Sequence, residues 1–281
     1  MAVPSYHVVR IAALPEEADV LQGRLYDVGC LGLEEIEGAD AVILKTYFDA
    51  YAPLPHFLND LKKRIGDVDV VDATTIGLTD ASFRPAAFEP FSLVAHIAVV
   101  PPPELFQETA AGRHSPQDIQ IMPGLAFGSG RHETTRLVAR ALWLLNPRPA
   151  SVLDIGTGSG ILAILAKRMG VPKVDAAEIS EEAFENAHGN FRRNGCGDIG
   201  LVHSVGELRG TYAVILGNLL TPTILHLKTE MTRLLAPQGR LILSGVTVDE
   251  ADDLEAAFRD FRRLQRNDTE DWSCLTFARP D

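Results

Sequence analysis

Three glycines at alternate positions, Gly156, Gly158 and Gly160, follow the apolar run Val152-Leu153-Asp154-Ile155 and precede Ile161, Leu162, Ile164 and Leu165. Where no Cβ stands in the way, a ligand can come up against the backbone, so this spacing suits a loop that cradles a nucleotide-like group. The pattern reads as strand, tight turn, helix: the binding corner of a doubly wound α/β sheet. Ile161 stands where the dinucleotide fingerprint G-x-G-x-x-G needs its third glycine, so a pyrophosphate is not the expected ligand. Twenty residues after Gly158, Glu178 ends a second run, Val174-Asp175-Ala176-Ala177. A carboxylate at that station accepts from the two adjacent hydroxyls of a ribose. The alternative is a cap on the helix that opens near Ser180, with Glu181 and Glu182 in its first turn. Adenosine without phosphates points to S-adenosylmethionine.

Methyl transfer from a sulfonium is an in-line displacement whose donor is already activated. The protein has to align donor and acceptor, keep the acceptor nucleophilic and exclude water. Asn218, in Leu216-Gly217-Asn218-Leu219-Leu220, ends an apolar run on the side where α/β sheets place ligands. Its amide oxygen, with the Leu219 carbonyl nearby, accepts from an amine without burying a negative charge. The ordinary lysine pKa of ~10.4 leaves about one amine in a thousand neutral at pH 7, and an apolar pocket lowers it, so no strong base is required. The structural alternative for Asn218 is a strand end that opens the turn into Thr221-Pro222. No aromatic follows Asn218 to stack a planar base or amide, which favours an aliphatic amine.

Asp154, just before the first glycine, either accepts from the cofactor's ammonium or ties down the N–H groups of its own loop. Phe127, beside Gly128-Ser129-Gly130, either covers the cofactor as a hinged lid or fills the core. His132 reads as a hydrogen-bonded structural histidine ahead of a general base. Cys30, Cys196 and Cys274 lie far apart in apolar patterns, which is neither a disulfide framework nor a metal site but suits buried free thiols in a reducing compartment.

At these residues the chain resembles the class I S-adenosylmethionine-dependent methyltransferases. Two further segments, Pro123-Gly124-Leu125-Ala126-Phe127-Gly128-Ser129-Gly130-Arg131-His132-Glu133-Thr134-Thr135 and Asn218-Leu219-Leu220, narrow the resemblance. They are similar to the family that methylates large-subunit ribosomal protein eleven, protein methyltransferase A. That family carries P-G-x-A-F-G-x-G-x-H-x-T-T, then D-x-G-x-G-S-G, then A-N-[IL]-L. The resemblance covers residues 117 to 281 by motif, and residues 1 to 100 by architecture. It implies S-adenosylmethionine as cofactor and Thr135, the second threonine of the pair, as a cofactor contact; Thr134 or Thr135 as a plain helix cap is the competing account. It implies lysine or amino-terminal amines of a ribosomal protein as acceptors. Glu178 stands where the family ordinarily has aspartate, so it reaches about one bond further. The family's connector is usually rich in tryptophan, whereas Trp143 and Trp272 both lie outside the connector of this chain. Val100-Pro101-Pro102-Pro103 replaces the family's Pro-Ser-Trp. These departures bear on the protein substrate, so a lysine of another protein stays open as an alternative, with a nicotinamide oxidoreductase behind it.

The elements that must position these groups follow from periodicity. Strands at 6–11, 31–36, 41–48 and 68–74 with helices at 15–28 and 53–65 have the order β-α-β-β-α-β, a small α+β ferredoxin-like domain over residues 1–75 assigned to substrate recognition. Residues 76–116 read as a proline-stiffened connector with one strand at 93–100. Residues 117–281 alternate strand and helix as a Rossmann-like α/β sheet, closed by an antiparallel hairpin at 264–267 and 272–278 that is inferred from the resemblance.

The 281 residues allow two domains, and a 46% apolar, 23% charged composition is globular. A net charge of −12 argues against nucleic acid as a direct partner and suits a basic protein substrate. The start of the chain has no basic n-region, and no apolar run reaches the ~20 residues of a membrane span, so a cytoplasmic protein without membrane contact is expected.

Overall fold

In the computed structural model the described residues are 5–28, 30, 32–37, 41–50, 52–66, 68–77, 90–100, 102, 115–122 and 130–279. Phe127, with Gly128 and Ser129, lies outside them. The chain divides into two compact units, Met1–Ala87 and Phe88–Asp281.

In the first unit, β1 (Ser5–Ala13), α1 (Pro15–Asp27), β2 (Gly32–Glu37), β3 (Val42–Asp49), α2 (Leu54–Ile65) and β4 (Asp69–Gly77) follow one another. The sheet order is β2-β3-β1-β4, and every neighbouring pair is antiparallel. That is the split βαβ arrangement expected from the element order. One face of the sheet (Val9, Ile11, Leu44, Phe48) packs with Leu25 of α1 and with Phe57, Leu61 and Ile65 of α2. The three α2 residues recur at a spacing of four, so they form one stripe of the helix.

In the second unit, the expected single strand at 93–100 is instead a hairpin of β5 (Phe91–Val94) and β6 (Ile97–Val100), and it belongs to the unit that begins at Phe88. The turn falls at Ala95-His96, with Ala95 at φ 39°. Neither residue is a turn former, so the apolar run showed no break. β7 (Ile119–Gln120) adds to β6 in parallel. Then come α3 (Glu133–Trp143), β8 (Ser151–Ile155), α4 (Ile161–Arg168), β9 (Lys173–Ala177), α5 (Glu181–Arg193), β10 (Gly200–Val202), β11 (Tyr212–Asn218), α6 (Thr221–Leu234), β12 (Leu235–Thr247), α7 (Ala251–Ala257), β13 (Arg262–Asp268) and β14 (Trp272–Ala278).

The seven-stranded sheet has the order β10-β9-β8-β11-β12-β14-β13, and β14 runs against the other six. Alternate residues of each central strand enter opposite layers. Val152, Val214, Leu216 and Ile242 face the core shared with α3, α4 and α5, while Leu153, Ile215, Leu241 and Leu243 face the core shared with α6 and α7. Burial on both faces explains why these strands read as unbroken apolar runs. The chain winds outward from β8 to β10 and returns to lay β11 on the other flank of β8. The carboxyl ends of β8 and β11 therefore border a topological switch point, the crevice where such sheets bind ligands. No helix of the described residues is long and apolar enough to cross a membrane.

Candidate active site

The glycine loop leaves β8 with Gly156, Gly158 and Gly160 all at positive φ (67°, 55° and 83°). Gly160 is the left-handed N-cap of α4, a conformation that costs other residues roughly 1–2 kcal/mol. Space is short as well as angle. A Cβ on Gly160 would stand 2.4 Å from the Phe191 ring, and one on Gly156 would stand 2.4 Å from Leu219 Cδ2. The loop is wedged between α5 and the segment that follows β11.

Asp154 is 1% exposed and accepts the Thr157 hydroxyl at 2.6 Å. Asp154 thus ties down its own loop through a hydroxyl rather than through the loop's backbone N–H groups expected from sequence. Burial pushes its pKa up to about 6, against the pull of the Thr157 bond and of a hydrogen bond to the Ala163 backbone, with the Glu178 charge adding to the rise. A folded-state pKa above the unfolded 3.8 means the ionised form is disfavoured inside the fold. The associated stability is fully present below about pH 4 and is lost as pH rises through about 6. Two pKa units correspond to roughly 3 kcal/mol. Asp154→Asn cannot ionise, so its unfolding free energy relative to wild type should improve by about that amount between pH 4 and pH 7.5. Parallel stability curves in urea titrations at the two pH values would refute the assignment.

Glu178 directly follows β9 and is buried. One carboxylate oxygen accepts the Gly158 N–H and the other accepts the Ser180 N–H, both at 3.0 Å. Ribose acceptor and helix-start brace are thus compatible: a carboxylate offers about four acceptor positions, and two remain. Ser180 caps α5 through its own hydroxyl.

Asn218 ends β11. Its Nδ2 donates to Thr135 Oγ1 at 3.2 Å, which brings the start of α3 to the strand end. Its Oδ1 is buried and has no hydrogen-bond partner among the described residues. Leaving a buried acceptor unpaired costs about 1–3 kcal/mol, which makes the atom a candidate acceptor for a ligand's donor. Leu219 donates its N–H to Ser244 at 2.9 Å, and its carbonyl lies against Gly245. A Cβ on Gly245 (φ 83°) would be 2.5 Å from that oxygen.

The α3 cap differs from both sequence options. The helix begins at Glu133 and its N-cap is His132, whose Nδ1 accepts from the Thr134 N–H at 3.3 Å. His132 also meets Trp272 edge-on at 5.0 Å, and burial holds its pKa below the usual histidine value. Thr134 and Thr135 are both buried, so neither is the exposed hydroxyl of a plain cap. A histidine accepting through a ring nitrogen does what Ser or Asp does at a cap, but cap rules do not name it.

The structure therefore brings Gly156, Gly158, Gly160, Asp154, Glu178, Asn218, Leu219 and Thr135 together at the carboxyl ends of β8, β9 and β11. Gly245 and the buried Asn190 of α5, which donates to the Ser159 carbonyl at 2.9 Å, escaped the sequence reading. A lone glycine in an apolar strand was the available signal for Gly245. Asn190 had none beyond its place on the apolar face of α5. Cys30, Cys196 and Cys274 are all buried, and burial pushes the Cys274 thiol up to about 12. The residues fit an adenosine-type cofactor: Gly156 and Gly160 have no room for a Cβ, carboxylate acceptor positions remain on Glu178, and the buried Asn218 Oδ1 has no partner among the described residues.

A family profile described as ribosomal protein L11 methyltransferase (PrmA) matches residues 6–280. A protein named ribosomal protein L11 methyltransferase from Citrifermentans bemidjiense is 36% identical over 170 residues, spanning 58% of this chain and 56% of that protein, just over half its length. A protein of the same name from Thermotoga petrophila is 31% identical over 271 residues, 94% of this chain and 95% of the other. The crystal structure of a ribosomal protein L11 methylase from Lactobacillus delbrueckii subsp. bulgaricus superposes with a TM-score of 0.60 at 29% identity, covering 69% of this chain and 99% of its own.

Proposed function

The chain belongs to the ribosomal protein L11 methyltransferase family, and from that membership we propose that it transfers methyl groups from S-adenosylmethionine to amino groups of ribosomal protein L11. The observation that carries the reading is the buried Asn218 Oδ1, unpaired among the described residues, beside a loop in which a Cβ on Gly156 or Gly160 would collide with Leu219 or Phe191.

Gly156, Gly158 and Gly160 give the cofactor a surface of bare backbone, Glu178 takes the ribose hydroxyls, and Thr135, Asp154 and Phe127 are further contacts proposed from the family motifs. Bound there, the cofactor supplies a methyl group already activated on a sulfonium. Asn218 Oδ1 accepts one N–H of the target amine and aims the nitrogen lone pair along the line of displacement, with the Leu219 carbonyl as a second acceptor. So held, a neutral amine would face the methyl donor, and the proton it sheds after methylation would pass to solvent. Holding donor and acceptor in line supplies the rate without a strong base. Ile179 and Leu220, 88% and 67% exposed beside Glu178 and Leu219, offer apolar surface for an aliphatic stem. The net charge of −12 suits a basic protein substrate, and the first unit, which holds none of the residues above, is assigned to presenting it.

Labelled S-adenosylmethionine and purified L11 test the proposal: L11 should acquire label on amino groups. Label on a different protein of a complete lysate, with none on L11, would decide for another lysine substrate. Glu178→Ala should weaken S-adenosylhomocysteine binding about 10–100-fold in a folded chain, from loss of charge-assisted hydrogen bonds worth about 1.5–3 kcal/mol. Unchanged calorimetric affinity would remove Glu178 from the ribose.

A further inference from the structure

The side chain of Asn190, 0% exposed in the last turn of α5, is fully committed. Nδ2 donates to the Ser159 carbonyl inside the glycine loop at 2.9 Å and to Asn186 Oδ1 at 3.0 Å. Oδ1 accepts the Met122 N–H at 3.0 Å, with the Arg193 guanidinium at 3.5 Å. One turn on, Asn194 pairs with both backbone groups of Gln120, accepting its N–H at 2.8 Å and donating to its carbonyl at 2.6 Å. The geometry is a match of two periods. Four helical residues rise about 6.0 Å and two strand residues about 6.8 Å, so asparagines at i and i+4 of a helix meet alternate residues of an extended chain. Phe191, the next residue, lies directly under Gly160.

We propose that Asn190 is a positioning residue of the methyl-transfer site, clasping the glycine loop to the extended segment after β7 that carries Met122, so that Ser159 and Gly160 are held where the cofactor needs them. The proposal rests on the methyl-donor reading above. Two independent contacts support it, because the Asn190–Phe191 pair holds the same two loop residues, one by a hydrogen bond and one by ring contact. Asn194 grips Gln120 but touches nothing in the loop, which makes it the natural control.

The test compares wild type, Asn190→Ala and Asn194→Ala by calorimetric titration with S-adenosylhomocysteine, by thermal melting, and by amide hydrogen exchange at Met122 and Gly160. Asn190→Ala should lose roughly 10–100-fold in affinity, with faster exchange at both amides, while Asn194→Ala stays within about threefold of wild type at a comparable loss of melting temperature. If Asn190→Ala does not fold, Asn190→Ser, which keeps a polar group but is too short to span both partners, is expected to show the same pattern. Wild-type affinity in a folded Asn190 variant, or an equal loss in Asn194→Ala, overturns the proposal while the methyl-donor reading stands. Failure of the wild-type chain itself to bind overturns both.

Discussion

Gly158→Val is expected to cost at least about 100-fold in affinity for S-adenosylhomocysteine. The residue sits at φ 55°, a region in which a β-branched side chain is an outlier, and its N–H is one of the two that hold the Glu178 carboxylate. Moving the backbone to a permitted angle would therefore displace the Glu178 carboxylate together with the bare surface of the loop. Strain alone has to be separated from damage to the site. Gly170 provides the control: at φ 83° it carries the same kind of backbone penalty, yet a Cβ there meets nothing within 4 Å. Gly170→Val should lower the melting temperature and leave affinity near that of wild type. A folded Gly158→Val chain that titrates like wild type would show that the loop is not the cofactor site.

Asn218→Ala is expected to lower the methylation rate by about 10–1,000-fold at saturating substrates, with a smaller effect on S-adenosylhomocysteine binding. The substitution deletes the buried acceptor and frees Thr135 from the strand end. On the proposed mechanism the lost bond is the one to the reacting amine, so its absence should appear in kcat ahead of KM. Single-turnover measurement with preformed ternary complex checks this directly. A wild-type rate would reduce Asn218 to a strand terminator.

Most of the candidate site was legible because the cofactor chemistry it suits imposes spacing. Glycines at alternate positions, an acid twenty residues on and an amide after an apolar run are local patterns, and each survives translation into a line of letters. Both layers of the sheet were legible for a similar reason, since strands buried on two faces leave unbroken apolar runs. The unread features depend on partners remote in sequence. Ala95-His96 turns a hairpin without a turn residue, so the run through Val94 and Ile97 showed no break. His132 caps a helix through a ring nitrogen, and its neighbour Trp272 lies far along the chain. Asn190 carries no mark of its bonds to Ser159 and Met122, and Gly245 shows its purpose only once Leu219 is beside it.

Leu219 has a glycine on either side of it, Gly156 under its side chain and Gly245 against its main chain. A residue gripped in this way has few evolutionary neighbours. A larger side chain at 219 would press on the cofactor loop, a smaller one would leave a void beneath it, and neither glycine can be exchanged without moving Leu219. Three positions, two just past the ends of β8 and β11 and one in β12, must therefore change together or not at all. Adaptation to a new protein substrate has little freedom at this end of the sheet, and variants with altered targets should carry their substitutions away from these three residues.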